Sequence, residues 1–235
     1  MGYLSAGRYS AAFPRGKKVV VKRHTSIRRN GFFVWVPLLC FFLLGGRWDL
    51  PSQKIVENPL EQREEKLKAF RTKKDRFFKE DSQSPLSEAD RKKFRGLAYY
   101  PIDLKYAVIV SIERYPHEPK PLYVNLSTNK GREKKYVKYG RIRFQWEGKD
   151  HVLQIYRPLG GGELFLPFRD KTSETETYPE GRYLYVEAMA GGKILIDFNR
   201  AYNPFCAYNE KYTCPFALKE NWLGIPFQAG EKRFR

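Results

Sequence analysis

Carboxylates at the ends of predicted strands are the residues of this sequence best suited to acid–base chemistry. They are Asp170, Asp197, Glu220 and Glu231. Two such groups that meet in a cleft can transfer protons or bind a cation. A hydrolase or lyase that uses Asp170 and Asp197 as acid and base is therefore one hypothesis. The two aspartates can equally serve the fold by pairing with Arg182 and Arg200, and structural pairing is the commoner role.

The cysteines and histidines do not form a metal-binding pattern. Cys206 and Cys214 are eight residues apart, and no histidine lies near them in the sequence. The closely spaced ligand pairs of structural zinc sites are missing, so we expect no metal and no cofactor. In an oxidising compartment two such cysteines most simply form a disulfide. A catalytic thiol is the alternative, although it would lack a neighbouring histidine to activate it.

Both cysteines lie in a long segment without helical or strand periodicity, residues 197–221. Structureless loops longer than about 12–15 residues are uncommon in compact domains, and they tend to be functional or disordered. Because this one is rich in Tyr, Phe, Pro and Cys, its composition argues against disorder. We therefore expect a fixed conformation with a ligand site beside it. The ligand-binding candidates are Asp170, Arg182 (an anion partner), Asp197, Asn199, Tyr202 and Asn203.

The elements that must position these residues are mainly β-strands. Apolar or alternating runs bounded by Gly and Pro predict strands at residues 106–112, 141–146, 151–156, 163–168, 182–188, 193–198 and 224–228. Short strands with closely spaced turns are typical of an antiparallel β-sandwich or barrel-like domain, here residues 99–235. Residues 47–98 are predicted to form N-terminal helices that pack on this domain. One spans 59–79, and Ser87 caps a shorter one.

The N-terminal region predicts targeting to a membrane. Residues 1–30 are predicted to form a basic, unstructured tail, and residues 31–46 contain an apolar run of 13 residues. That run is shorter than the about 20 residues of a spanning helix but fits the about 7–15 of a signal-peptide core. The preceding Arg28 and Arg29 favour a cytoplasmic N-terminus. A cleaved signal and a retained anchor both remain open, and each places the β domain outside the cytoplasm.

The net charge of +18 invites a comparison with nucleic-acid-binding proteins. Much of it, however, comes from the N-terminal tail, since the first 46 residues contain eight Lys and Arg and no acid. A basic stretch at residues 134–143 is most simply a solvent-exposed strand face, with anionic lipid headgroups or acidic glycans as alternative partners. We expect a membrane contact through residues 31–46 and a small-molecule or glycan ligand, and no nucleic acid.

A set of short motifs points to a family. They are residues 164–168, Asp170-x-Thr172, 181–184, 197–204, Cys206-Ala207, Cys214-Pro215, Glu220-Asn221 and 229–231, with 75–78 and 94–101 upstream. Together they resemble domain-of-unknown-function family 1684, in its short membrane-targeted form, over about residues 60–235. Phe205 stands where that family usually has a second proline. The resemblance implies no activity, so a purely structural envelope protein, in which the motifs only fold the loop, is a further hypothesis.

Overall fold

The computed structural model describes residues 59–117 and 119–234 of the chain. Two α-helices come first, α1 (Pro59–Glu80) and α2 (Glu88–Lys93). The strands that follow are β1 (Ala107–Arg114), β2 (Tyr123–Ser127), β3 (Glu133–Trp146), β4 (Lys149–Pro158), β5 (Phe165–Phe168), β6 (Arg182–Tyr185), β7 (Glu187–Ala188) and β8 (Lys193–Asp197). The predicted tail, 1–30, and targeting segment, 31–46, lie outside the described residues. Within the described part, no helix has the length and apolarity needed to cross a membrane.

The strands form one antiparallel sheet that curves into a half-barrel. Their order is β6-β5-β4-β3-β1-β8-β7, and β2 pairs with β3 off this path. Ile112 of β1, Ile142 of β3 and Leu153 of β4 are aligned across three neighbouring strands. All three belong to, or pack against, the main apolar core on the inner face of the sheet. The predicted mainly β, antiparallel, barrel-like domain behind N-terminal helices is thereby confirmed.

The hairpin of β3 and β4 is the longest pairing of the sheet and follows from its turn chemistry. Glu147 and Gly148 both have positive φ, 49° and 74°, as the two-residue turns that match strand twist require. Gly140 lies at a register shift of β3. A Cβ there would approach the carbonyl oxygen of Glu113 to 2.6 Å, so only glycine allows β1 to pack this closely.

The predicted last strand, residues 224–228, is wrong. The chain there runs beside the segment after β5: Leu223 N–H donates to the Arg169 carbonyl at 2.7 Å, and Lys171 N–H to the Ile225 carbonyl at 3.2 Å. Pro226 has no N–H to offer, which prevents a regular ladder. Phe227 nevertheless lies in the core, its ring 4.3 Å from that of Phe198. Burial rather than strand pairing thus explains the apolar run.

Helix α1 packs on the β domain through both apolar and charged contacts. Phe78 is fully buried, and its ring lies 4.8 Å from Tyr208 and 6.0 Å from Phe94. The short helix α2 begins as predicted, because Ser87 Oγ accepts from the Asp90 N–H at 3.1 Å and donates to the Asp90 carboxylate at 2.7 Å. The ring of Phe78 therefore joins helix α1 to Tyr208, which lies in the segment after the last strand.

Candidate functional site

Asp170 and Arg182 form an ion pair that is closed to solvent. Arg182 Nη2 donates to Asp170 Oδ2 at 2.7 Å, and both side chains are 0% exposed. The second carboxylate oxygen accepts from the Thr172 N–H at 2.7 Å and from its hydroxyl at 2.5 Å. The guanidinium also donates to the carbonyls of Phe227, at 2.8 Å, and Ala229. The pair therefore holds the C-terminal segment against β6.

The glycine that precedes Arg182 is dictated by this packing. Gly181 has a φ of +92°, and a Cβ there would come within 2.4 Å of the Phe168 carbonyl oxygen. Any other residue would be strained in this conformation and would collide with β5. The Gly181-Arg182 pair therefore allows the chain to place a buried guanidinium next to the Asp170 carboxylate.

Asp197 is buried against a different arginine, which comes from helix α1. Arg63 Nη2 donates to Asp197 Oδ2 at 2.9 Å. The other oxygen accepts from the Asn199 N–H and side-chain amide at 3.1 and 3.0 Å, which caps the 3₁₀ helix Phe198–Arg200. The expected partner Arg200 instead lies over the Phe70 ring, at 4.7 Å. Asp197 thus links α1 to the end of β8.

These two environments favour structural roles for both aspartates. Acid–base catalysis would need the carboxylates of Asp170 and Asp197 to face one another or a substrate in an open pocket. Each of them is instead bonded to its own arginine and to backbone or side-chain donors of its own turn. Proton transfer to a substrate would first have to break these contacts.

Glu231 lies at the centre of a buried network of hydrogen bonds and one ion pair. Lys74 Nζ of α1 donates to one carboxylate oxygen, and the Tyr208 hydroxyl and the Asn203 N–H donate to the other, the latter at 2.8 Å. Lys74 and Glu231 are each 1% exposed. Burial lowers the pKa of Lys74, against the attraction of Glu231. Burial also raises the pKa of Tyr208 well above its usual value.

One signal for this network was present in the sequence. Lys74 lies four residues after Phe70 and four before Phe78, which puts a cation on the apolar face of α1. A lysine at such a position requires a buried partner. The partner is 157 residues away, so it could not be identified from local spacing.

The 197–221 segment is folded rather than open. It contains the 3₁₀ helices Phe198–Arg200, Phe205–Ala207 and Lys219–Asn221. The backbones of Tyr202 and Tyr183 exchange two hydrogen bonds of 2.8 and 3.0 Å. The Asn203 amide donates to the Lys232 carbonyl at 2.8 Å. Of the six ligand-binding candidates, Asp170 alone lines the cleft described below. Arg182 is bonded to Asp170 and to the C-terminal backbone, and the other four belong to the 197–221 segment itself.

The two cysteines of this segment are buried, free thiols. The Cys206 N–H donates to Cys214 Sγ at 3.2 Å, so the pair is adjacent but unbonded. The hydrogen bond from the Cys214 thiol lowers the pKa of Cys206. The same contact, together with burial, raises the pKa of Cys214. The disulfide stays a prediction for the oxidised protein.

A cleft opens where this segment ends. It has a volume of about 300 Å³ and is lined by Arg169, Asp170, Lys171, Glu174, Trp222 and Leu223. The Trp222 side chain is 48% exposed, and the Arg169 guanidinium lies 4.4 Å from its ring centre. Arg169 also approaches Glu174 at 3.4 Å. We call this the Trp222 cleft.

The walls of the Trp222 cleft are fixed by backbone pairing. Arg169 N–H donates to the Asn221 carbonyl at 3.0 Å, and Leu223 N–H donates to the Arg169 carbonyl at 2.7 Å. The indole Nε1 donates to the Ala217 carbonyl at 3.2 Å. The indole is therefore held in position with part of its surface open to solvent. In the sequence, Trp222 directly follows Asn221, the last residue of the 197–221 segment. This position was the one sign that Trp222 could belong to a site.

Metal binding has no geometric basis in the described residues. In residues 59–117 and 119–234, no group of three or more His, Cys, Asp and Glu side chains could hold an ion. The Trp222 cleft contributes two carboxylates at most, and that of Asp170 is bonded to Arg182. What the cleft presents to a ligand is therefore an aromatic surface, two cations and one exposed acid.

Comparisons with known proteins agree with the fold and name no ligand. A family model described as "Protein of unknown function (DUF1684)" matches residues 92–232. Among solved structures, the chain is similar to an uncharacterized protein of Haloarcula marismortui determined by solution NMR, at 35% identity and a TM-score of 0.57. That similarity covers 74% of this chain and 95% of the other. No curated protein matches the chain.

Proposed function

Because the chain belongs to the DUF1684 family, whose description assigns no activity, we propose a function from its geometry: binding of an acidic glycan in the Trp222 cleft. The observation that carries this proposal is the half-exposed indole of Trp222 with the Arg169 guanidinium against it. Ligand sites commonly combine an aromatic wall with a few polar groups that fix the orientation of the ligand; here four of the six lining residues are charged, which favours a charged ligand.

The chemistry of the Trp222 cleft suits a sugar that carries a carboxylate. An exposed indole offers a large apolar surface on which the C–H face of a sugar ring can pack. The guanidinium of Arg169 presents a planar fork of donors that matches a carboxylate, and Lys171 adds a second positive charge. Glu174 reduces this charge at one edge, so the cleft would bind single acidic groups rather than dense polyanions.

The proposed setting is a domain of the short, membrane-targeted form, exported or anchored through residues 31–46. Support comes from the sequence, where a basic tail precedes a short apolar run. A domain outside the cytoplasm would meet acidic polysaccharides of the cell surface. The Trp222 cleft is poorly suited to acid–base hydrolysis, because Glu174 is its one available carboxylate and that of Asp170 is bonded to Arg182.

A binding measurement on the full chain in a non-ionic detergent tests the proposal. Calorimetric titration with hexagalacturonate should give saturable binding, whereas uncharged maltohexaose should bind at least about tenfold more weakly. Trp222→Ala should weaken hexagalacturonate binding about tenfold or more, since it removes the stacking surface.

Tyr123→Ala is the matched control. Tyr123 is 46% exposed and also has a cation over its ring, Lys135 at 4.4 Å, but it does not line the Trp222 cleft. Its substitution should leave affinity unchanged. Equal losses in both variants, or no saturable binding of the acidic oligosaccharide, would refute the proposal and leave the structural envelope protein as the better hypothesis.

A further inference from the structure

A second group of cations surrounds one tyrosine at the end of the inner sheet face. The guanidinium carbons of Arg114 and Arg157 lie 5.1 and 5.6 Å from the centre of the Tyr139 ring. The imidazole of His117 lies 5.8 Å from the same centre. We call Arg114, His117, Tyr139 and Arg157 the Tyr139 cluster. None of the four lines the Trp222 cleft.

Strand register brings the two arginines to this place. On β1, Arg114 follows Ile112 on the same face and pairs with Gly140 of β3. On β4, Arg157 pairs with Val137. Because side chains alternate along a strand, Arg114 continues the row of the core residue Ile112 toward the end of the sheet. Gly140 has no side chain to separate the strands, so Arg114 and Tyr139 lie close together.

The arginines of the Tyr139 cluster lack the acidic partner that their neighbours have. Arg141 and Arg143 both donate to Glu113, at 2.6 and 2.8 Å. In the described part of the chain, neither Arg114 nor Arg157 forms an ion pair. Positive charges collected around one ring repel one another, and an anion among them would reverse that unfavourable term.

His117 supplies a further polar group without a partner. Its Nδ1 is shielded from solvent and has no hydrogen-bond partner among the described residues. A shielded polar nitrogen left unpaired is costly. A ligand oxygen would remove this cost if the imidazole turns so that a protonated Nδ1 faces the ligand. The Tyr139 cluster therefore has unbalanced positive charge and an unpaired hydrogen-bonding group. A negatively charged ligand with several oxygen atoms would satisfy both.

We propose that the Tyr139 cluster binds a phosphate group. Guanidinium forks bind phosphate oxygens through paired, charge-assisted hydrogen bonds. A tetrahedral dianion has oxygens that point in several directions, so one phosphate placed beside Tyr139 would be bound if the flexible side chains of Arg114 on β1 and Arg157 on β4 turn toward it from the two sides of β3. A planar carboxylate would occupy one fork only. The phosphate belongs either to a soluble molecule or to a lipid headgroup, and the recognition chemistry is the same for both.

Titration of the full chain in a neutral detergent with inorganic phosphate tests this assignment. At constant ionic strength, side-chain NMR signals of Tyr139 and His117 should shift saturably as chloride is replaced by phosphate, up to about 10 mM. Arg114→Gln and Arg157→Gln should each weaken binding about tenfold. Arg141→Gln and Arg143→Gln, which remove paired arginines, should change affinity less than twofold.

The folded state of each variant is checked by its unfolding midpoint, because a lost fold would imitate a lost site. Binding that persists unchanged in a folded Arg114→Gln/Arg157→Gln double variant would overturn the proposal. So would equal weakening by the Arg141→Gln control. The absence of any saturable phosphate effect on the wild-type signals would do the same.

Short-chain lipids distinguish the source of the phosphate. Dihexanoyl phosphatidate is titrated into the same detergent solution, and dihexanoyl phosphatidylcholine is titrated in parallel to measure the effect of lipid entering the micelles. Tighter binding of the phosphatidate than of inorganic phosphate, lost in the double variant, supports a lipid headgroup. Tighter binding of inorganic phosphate supports a soluble phosphorylated ligand. Binding of neither lipid nor phosphate contradicts the site itself, independently of any result at the Trp222 cleft.

Discussion

The positively charged side chains of the domain occupy two opposite kinds of environment. In the interior, Lys74 and Arg182 are closed to solvent, and each donates to a carboxylate, Glu231 or Asp170. At the end of the inner sheet face, Arg114 and Arg157 surround a tyrosine and have no carboxylate partner within the described residues. An interior charge must be compensated by the fold itself. A charge at the edge of the fold can instead be compensated by a ligand.

The difference between paired cations in the interior and unpaired cations at the edge indicates which side chains are available to a ligand. The motifs that resemble the family, among them those with Asp170, Arg182, Asn203 and Glu231, supply the compensated interior. Their hydrogen bonds run to one another, to helix α1 and to the C-terminal backbone. Motifs of this kind identify a fold. The groups that remain open to a ligand, such as Trp222, lie beside the motifs.

The sharpest test of the contrast is to remove one cation from each region. Lys74→Met leaves the Glu231 carboxylate buried without its counter-charge, and we expect a loss of about 3–5 kcal/mol in the free energy of unfolding. Arg157→Met removes an uncompensated cation and should change stability by no more than about 0.5 kcal/mol. Urea unfolding of both variants measures the difference.

A second substitution separates lost packing from stranded charge. Combining Lys74→Met with Glu231→Gln removes both charges and should recover part of the lost stability. If Lys74→Met costs no more than Arg157→Met, the two regions do not differ in the way described. If the double variant is less stable than Lys74→Met alone, the hydrogen bonds that the Glu231 carboxylate accepts from Tyr208 and Asn203 stabilise the fold by more than its unpaired charge costs.

An intermediate effect is expected from oxidation of the interior segment. Closing Cys206 and Cys214 into a disulfide should add about 2–3 kcal/mol by the chain-entropy estimate for so short a loop. Of the 3 cysteines in the chain, only Cys40 should then react with a thiol reagent. Unfolding with and without reductant measures the gain, and a Cys214→Ala variant should show none.

The same oxidation should leave the Tyr139 cluster unaffected. Phosphate affinity is expected to be equal in the oxidised and reduced proteins, because the cross-link lies within the compensated interior. Three reactive thiols after oxidation would show that the disulfide does not form. A phosphate affinity that follows the redox state would show that the two regions are coupled.

The smallest effect concerns the pH dependence of stability, which depends on the buried tyrosines of the interior. Burial raises the pKa of Tyr156 and Tyr183 above the usual 10 and that of Tyr100 to about 12. Above pH 10 the unfolded chain loses these protons while the folded protein keeps them. The folded state then binds more protons than the unfolded state, so the free energy of unfolding falls as pH rises. The contribution of these tyrosines to stability is fully present below pH 10.

Tyr156→Phe should make that decline shallower by up to about 1.4 kcal/mol per pH unit. Urea unfolding at several pH values from about 8 to 11 measures the slope. At the lower end of this pH range, the free energies of unfolding of the variant and the wild type should differ by a constant amount. This difference reflects the lost hydrogen bond from the Tyr156 hydroxyl to the Glu220 carboxylate, which is 2.7 Å long. Identical slopes would mean that this hydroxyl ionises equally in both states.

Local patterns sufficed for much of the fold. Alternation of Ile142, Phe144 and Trp146 predicted the central hairpin, and Ser87 predicted the start of α2. Strand β2 was missed because Leu126 is its one buried residue, which leaves almost no alternation to detect. The 224–228 strand was predicted wrongly, since an apolar run records burial and does not record hydrogen-bond pairing.

The sites depended on contacts that no local pattern contains. From the sequence, Asp170 could either take part in acid–base chemistry or pair with Arg182. Only the packing of β5 on β6 decides between these alternatives. The partner of Asp197 is Arg63, 134 residues away. The Tyr139 cluster requires the register of β1 on β3 and of β3 on β4. Long-range register is the physical quantity that a single sequence leaves open.

The bond between Lys74 and Glu231 also sets an order of events during synthesis. The two residues are separated by 157 positions, so helix α1 emerges long before the carboxylate that compensates its lysine. Until then the apolar face of α1 carries an unpaired cation and has little to pack against. Folding that depends on such distant contacts is slow and leaves apolar surface exposed meanwhile. Residues near position 231 therefore complete the packing of helix α1, and the apolar face of this helix stays exposed until they are synthesised.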